Sequence, residues 1–267
     1  MPTKEEIIWK HKKAAELYHK NISLESSGVI DEKYVKDYIS KKGNVKVVSL
    51  GIGTGRELNW LDKLKNIKEV IGIDYSSEFL EICEKVAKEC KVKVICFKDN
   101  LFSLKKFKNF IKKEKLPLIY ICLLNTLGNF TSKEREKVLK NVRNLMKKKD
   151  RLILCLYKRP ERIKAKIKLP SQIKVIGNSG RKIKLGTLLE YGALEFFWLP
   201  ILEKYHQLPR FWYNEKTDDV TIYVGKEKIL ISHRFSEEEI EELAKIAKLK
   251  IEKLIEGKFM WVVILKV

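Results

Sequence analysis

Five short apolar runs recur along this chain: VKVVSL (45–50), EVIGID (69–74), VKVICF (92–97), LPLIYICLL (116–124) and RLILCLY (151–157). Apolar residues stand at successive positions in them, not alternate ones, which is the pattern of strands buried on both faces. The stretches between carry helix signals, so strand and helix alternate and a parallel sheet layered by helices is predicted. Arg56 to Leu64 reads as a helix, Ser76 or Ser77 caps another that runs to about Lys88, and TSKEREKVLKNVRNLMKK opens with Thr131 and Glu134 at capping-box spacing. Ahead of the first run, helices are predicted over roughly 4–20 and 31–41, with Asp31 as the N-cap of the second.

The alternation stops after Tyr157. RPERIKAKIKLPSQ is basic, and its Pro160 and Pro170 argue against a continuous helix. QIKVIG and RKIKLG flank Asn178-Ser179-Gly180 as hairpin strands would, ALEFFWLPILEKYHQLPRFWYN is crowded with aromatics, and VTIYVG with KILISHRF forms another apparent hairpin. FSEEEIEELAKIAK is a helix with an acidic first turn. KIEKLI and FMWVVILKV are closely spaced strands expected to pair antiparallel. The organisation expected is an N-terminal helical lid (1–43), a core (44–157 and 236–267) and an inserted β-rich, aromatic cover (158–235).

Composition narrows the function classes. No apolar stretch approaches the ~20 residues of a membrane span, and MPTKEEIIWKHKK lacks a signal-peptide core, so a cytoplasmic protein with no membrane partner is expected. Cys83, Cys90, Cys96, Cys122 and Cys155 show no CxxC spacing, and the four histidines no HxxxH, so buried free thiols and no metal site are expected. The net charge of +21, abundant lysine and only two glutamines form a thermophile-like composition. The excess is uneven. Residues 158–184 hold ten basic side chains against Glu161 alone, and such a stretch either faces solvent or meets phosphate.

Between the first run and its helix lie Gly51, Gly53 and Gly55. A turn that sheds side chains there lets the backbone approach a ligand at the carboxyl end of the sheet. The dinucleotide fingerprint needs a glycine at position 56, which is Arg56. Asp74 ends the second run nineteen residues after Gly55, where a carboxylate accepts both ribose hydroxyls. Asp99 follows the third run, and the fourth leads into LLNTLGNF.

The G-x-G-x-G spacing with these strand-end residues resembles motif I and its companions in class I S-adenosylmethionine-dependent methyltransferases, over 44–157 and 236–267. The resemblance implies an α/β, Rossmann-like seven-stranded sheet of order 3-2-1-4-5-7-6 with the last strand antiparallel. It implies S-adenosylmethionine as cofactor, with its methionyl end at Gly51, Gly53, Thr54 and Gly55. The ribose would lie at Asp74 and Tyr75, the adenine at Asp99, Asn100 and Leu101, and Asn125 beside the transferable methyl. Ser49 departs from the family, which usually carries there an acid that orients the methionine ammonium. NTLGNF is similar to the matching segment of small-molecule N-methyltransferases, and in that resemblance Asn129 faces the substrate; it could equally cap the helix near Thr131. Tyr18 and Tyr157 would enter the pocket from the lid and from the fifth strand. No catalytic base is identifiable. The expected function is methyl transfer to a small-molecule nucleophile, an amine favoured. The alternative is an RNA methyltransferase that grips phosphates with residues 158–184.

Overall fold

The computed structural model describes residues 12–25, 30–159, 175–177, 182–183, 210–214, 216–224, 226–257 and 260–267. Helices α1 (Lys12–Glu25) and α2 (Ile30–Ser40) come first. The predicted helix over 4–20 therefore extends further than expected, and its part before Lys12 lies outside the described residues. Helical backbone already begins at Ile30, so Asp31 falls inside α2 and does not cap it. Val35 and Ile39, one turn apart, are fully buried and fasten α2 to the core.

The alternation follows as β1 (Val45–Leu50), α3 (Leu58–Leu61), β2 (Ile67–Asp74), α4 (Ser77–Glu89), β3 (Lys93–Lys98), α5 (Lys105–Ile111), β4 (Leu118–Cys122), a 3-10 turn (Thr126–Asn129), α6 (Ser132–Leu145) and β5 (Arg151–Tyr157). Two elements are shorter than predicted, each for a local reason. The helix from Arg56 shrinks to α3 because turns continue through Glu57, and the Asp62 carboxylate beyond it accepts the Val92 N–H at 2.7 Å. Strand β4 stops at Cys122 because Leu124 and Asn125 take left-handed backbone, with φ of 48° and 58°. The Ser76 cap of α4 holds: its hydroxyl accepts the Phe79 N–H at 3.2 Å.

Next come β6 (Val175–Gly177), β7 (Lys182–Ile183), β8 (Arg210–Asn214), β9 (Asp219–Val224) and β10 (Glu227–His233), then α7 (Glu237–Ile246), β11 (Lys250–Glu256) and β12 (Met260–Lys266). The main sheet runs β11-β12-β5-β4-β1-β2-β3, with β12 antiparallel to both neighbours. This is the expected order, β12 serving as the seventh strand and β11 as the sixth. Side chains alternate across it. Val48, Leu50, Ile71 and Ile73 join the α6 and α7 residues Val138, Leu139 and Leu243 on one face. Val47, Val70, Ile119 and Ile121 meet Val35, Leu58 and Leu80 on the other.

The remaining strands form a second sheet, β10-β9-β8-β6-β7, which contains both expected hairpins and adds β8, drawn from the aromatic RFWYN. It is stitched to the main sheet at the end of β5, where the Phe235 N–H donates to the Tyr157 carbonyl (2.8 Å) and the Arg159 N–H to the Phe235 carbonyl (2.9 Å). Among the described residues, no helix is long and apolar enough to cross a membrane.

Candidate functional site

The three glycines have φ of 77°, 57° and 79°, a left-handed region that side chains rarely adopt. At Gly51 a close approach adds to this. A β-carbon there would lie 2.7 Å from the Thr126 methyl, so the turns after β1 and β4 touch backbone to side chain. The Gly53 N–H donates to Asp74 Oδ2 and the Ser76 N–H to Asp74 Oδ1, each at 2.9 Å. Glycine turn and strand-end acid, separate in sequence, thus form one unit. Burial pushes the Asp74 carboxyl above its ordinary range, against the pull of the Ser76 and Gly53 donors. The Tyr75 N–H pulls the same way, so three backbone donors hold the carboxylate at the end of β2. Tyr75, next along, is exposed.

Residue 49 carries no acid, but a carboxyl group lies against it. The Ser49 hydroxyl donates to the Glu57 carboxylate, and both residues are buried at the carboxyl end of β1. Burial pushes the Glu57 carboxyl up, while the Ser49 hydrogen bond and the Arg56 charge pull it down. A carboxyl function therefore does stand behind the glycine turn, carried eight residues later than the family pattern. Sequence reasoning assigned Glu57 to a helix and missed it. Arg56 beside it is also buried.

Helix α1 lies against this turn. The Tyr18 ring packs 5.3 Å from that of Phe79 and comes within 3.8 Å of where a Gly53 β-carbon would sit. His19 Nδ1 and Thr54 Oγ1 are hydrogen-bonded at 3.2 Å, and burial holds the His19 imidazole below its ordinary range. Burial also pushes the Tyr18 hydroxyl well up, within reach of Arg56, Glu57, Tyr157 and Asp74. The structure thus brings Tyr18, Gly53, Thr54 and Asp74 to one place.

Asp99 Oδ2 accepts the N–H groups of Lys106 (2.8 Å) and Phe107 (3.1 Å), and Oδ1 that of Asn100 (2.8 Å). It therefore holds the start of α5, while its own N–H donates to the Asp74 carbonyl at 3.0 Å. Asn100 Oδ1 accepts from the Phe102 N–H at 2.8 Å, and Leu101 is buried. Asn125 has its side chain committed within the protein. Its Oδ1 accepts the Tyr157 N–H (2.9 Å), and its Nδ2 donates to the His233 carbonyl (3.1 Å) and Ser232 Oγ (3.3 Å). Asn129 does not cap α6; Thr131 does, with its N–H donating to Glu134 at 2.9 Å.

Beyond Asn125 lies a cluster that sequence reasoning also missed. His233 is 3% exposed, with Nδ1 2.7 Å from Asp219 and Nε2 2.7 and 2.8 Å from the Glu239 oxygens. Burial alone would push the imidazole down, but the bonds to Asp219 and Glu239 outweigh it and raise it.

A family model described as a methyltransferase domain matches residues 47–149, from within β1 to the turn before β5. No curated protein matches the chain in sequence. Among solved structures it is similar to an S-adenosylmethionine-dependent methyltransferase from Clostridium acetobutylicum, with 16% identity, a TM-score of 0.56, and 96% of this chain and 98% of that one covered. A protein from Pyrococcus horikoshii is similar at 17% identity and TM-score 0.54, over 93% and 88% of the two chains. The 1,6-didemethyltoxoflavin-N1-methyltransferase of Burkholderia thailandensis, solved with 1,6-didemethyltoxoflavin and S-adenosylhomocysteine bound, is similar at 10% identity and TM-score 0.55, over 93% and 83%. At such identities the likeness is one of fold.

Proposed function

We propose that the chain is a class I S-adenosylmethionine-dependent methyltransferase that methylates a small-molecule amine, a reading supported by the methyltransferase-domain match over residues 47–149. One observation carries the proposal. The Tyr18 ring from α1 packs on Phe79 and comes within 3.8 Å of where a Gly53 β-carbon would sit, so an aromatic side chain covers the glycine turn. An aromatic cover over the turn suits an enclosed acceptor better than an open groove.

The residues fit the cofactor. Left-handed glycines leave the turn bare, the Asp74 carboxylate stands beside it, and Glu57 offers a buried carboxyl. When bound, S-adenosylmethionine supplies a methyl group already activated by its sulfonium charge. In this reading Asp74 accepts the ribose hydroxyls, and Glu57 with Ser49 accepts the ammonium. Asp99, Asn100 and Leu101 border the adenine. The contribution of the chain to the transfer is alignment and exclusion of water. Burial keeps the Tyr18 hydroxyl protonated, so it orients an acceptor by donating a hydrogen bond and does not act as a base. The second sheet, with the rest of 158–235, would cover the acceptor.

The basic stretch gives the RNA reading less support than its composition suggests. Lys158 pairs with Glu256, and Arg159 Nε lies 2.7 Å from Asp218 Oδ2, so both charges are used within the fold. Incubation with radiolabelled S-adenosylmethionine and separate pools of metabolites and RNA tests the choice. Label is expected in the metabolite pool. Replacing Lys164, Lys166, Lys168 and Lys174 by Gln should leave that labelling and cofactor binding unchanged. Micromolar RNA binding at physiological salt, lost with a flattened salt dependence in this variant, would establish the RNA reading instead.

A further inference from the structure

Arg56 is 4% exposed, yet its Nε, Nη1 and Nη2 find no hydrogen-bond partner among the described residues. A guanidinium cannot shed its charge, and enclosing one unpaired is costly. Its neighbour Glu57 feels its charge but makes no hydrogen bond to it; that carboxyl is bonded to Ser49 instead. Consecutive residues thus present a carboxyl group and a guanidinium that lacks a hydrogen-bond partner among the described residues, immediately after the last glycine of the bare turn. An α-amino-acid group carries the complementary pair, an ammonium and a carboxylate on one carbon.

We propose that Arg56 is the receptor for the methionyl carboxylate of the cofactor, while Glu57 and Ser49 take the ammonium; this inference rests on the methyltransferase reading above. Guanidinium and carboxylate match in a planar, two-bond geometry that lysine cannot reproduce. The charge of Arg56 already acts on Glu57 and on the Tyr18 hydroxyl, which places it in the same buried group as the rest of the site. A free amino-acid acceptor would offer the same carboxylate, so the test must separate the two sources.

The test measures binding by calorimetry, and melting without ligand, for wild type, Arg56→Met and Arg56→Lys. The ligands are S-adenosylhomocysteine and 5′-methylthioadenosine, which keeps the adenosine and thioether but lacks the amino-acid end. In Arg56→Met, S-adenosylhomocysteine affinity should fall by roughly 30-fold or more. Methylthioadenosine affinity should stay within about twofold, because the adenosine contacts do not include Arg56. The ligand-free melting temperature should rise, since an unpaired buried charge has been removed. Arg56→Lys should fall between wild type and Arg56→Met in S-adenosylhomocysteine affinity. Unchanged S-adenosylhomocysteine affinity in Arg56→Met overturns the proposal, and would assign the residue to an acceptor if transfer to amino acids were lost. Equal losses for both ligands overturn it too. If wild type binds neither ligand, the methyltransferase reading itself fails.

Discussion

Asp74→Ala is expected to weaken S-adenosylhomocysteine binding on the order of 100-fold, and Asp99→Ala far less. A carboxylate that accepts both ribose hydroxyls makes two charge-assisted bonds, each contributing roughly 1.5–3 kcal/mol. The same carboxylate pins the Gly53 N–H, so its removal also loosens the turn that faces the methionyl end. Asp99 could offer the adenine amine one bond, and apolar packing around the ring would remain. Its replacement should act mainly on stability. Losing the acceptor for the Lys106 and Phe107 N–H groups costs about 1 kcal/mol, as at other helix caps. Calorimetry and thermal melting separate the two effects. A folded Asp74→Ala protein that binds normally would remove Asp74 from the cofactor site.

The second large effect is at His233, and it concerns stability. Its imidazole joins Asp219 on β9 to Glu239 on α7, and Arg135 on α6 approaches Glu239 at 3.6 Å. His233→Ala would leave two carboxylates facing each other without the cation between them. Because those side chains keep 25% and 24% of their exposure, the loss belongs at the low end for broken buried pairs, about 3 kcal/mol. For a chain of this size that lowers the melting temperature by roughly 10 °C.

The pH dependence has a definite sign. The folded imidazole titrates above its ordinary value of 6.5, so its contribution is complete below 6.5 and disappears as pH rises through the raised value. Asp219 is held below its ordinary 3.8, the His233 bond overcoming the upward push of burial, so its contribution is complete above 3.8. Wild type and His233→Ala should therefore differ most between those two values and converge toward alkaline pH. Denaturant titrations across pH 5–9 measure this; a gap that widens above neutrality would rule out the charged triad.

The five parallel strands were legible because burial on both faces leaves uninterrupted apolar runs such as RLILCLY, which is β5 residue for residue. Sheet order and the antiparallel β12 followed from the resemblance and not from any local pattern. The Asp74–Gly53 bond was within reach of reasoning, since turn and strand end both had to lie at the same edge. Glu57 was not. Its role depends on a hydrogen bond across eight residues to Ser49, and a buried glutamate in GRELNW has the same local pattern as a helical one. The His233 group was hidden for a similar reason, its members coming from four separate elements that periodicity cannot relate. Asn125 showed the opposite difficulty. Its position beside the site was readable, but not that its amide joins β5 to β10.

The placement of β12 also has a kinetic consequence. It lies inside the sheet, pairing Val263 with Leu154 and Val262 with Cys155, although about a hundred residues separate Tyr157 from Met260. Closing a loop that long carries an entropic cost of about 4 kcal/mol before any of the pairing is gained. The β11–β12 hairpin can form locally in microseconds, but its docking onto β5 waits for the intervening chain. Amide protection during refolding should therefore reach Val48 and Ile71, on β1 and β2, before Val263. Pulse-labelled hydrogen exchange would read that order, and simultaneous protection would mean that the chain condenses as a single unit. Until docking, the edge of β5 that β12 will cover stays open, and in that interval refolding at high concentration is exposed to pairing with another copy.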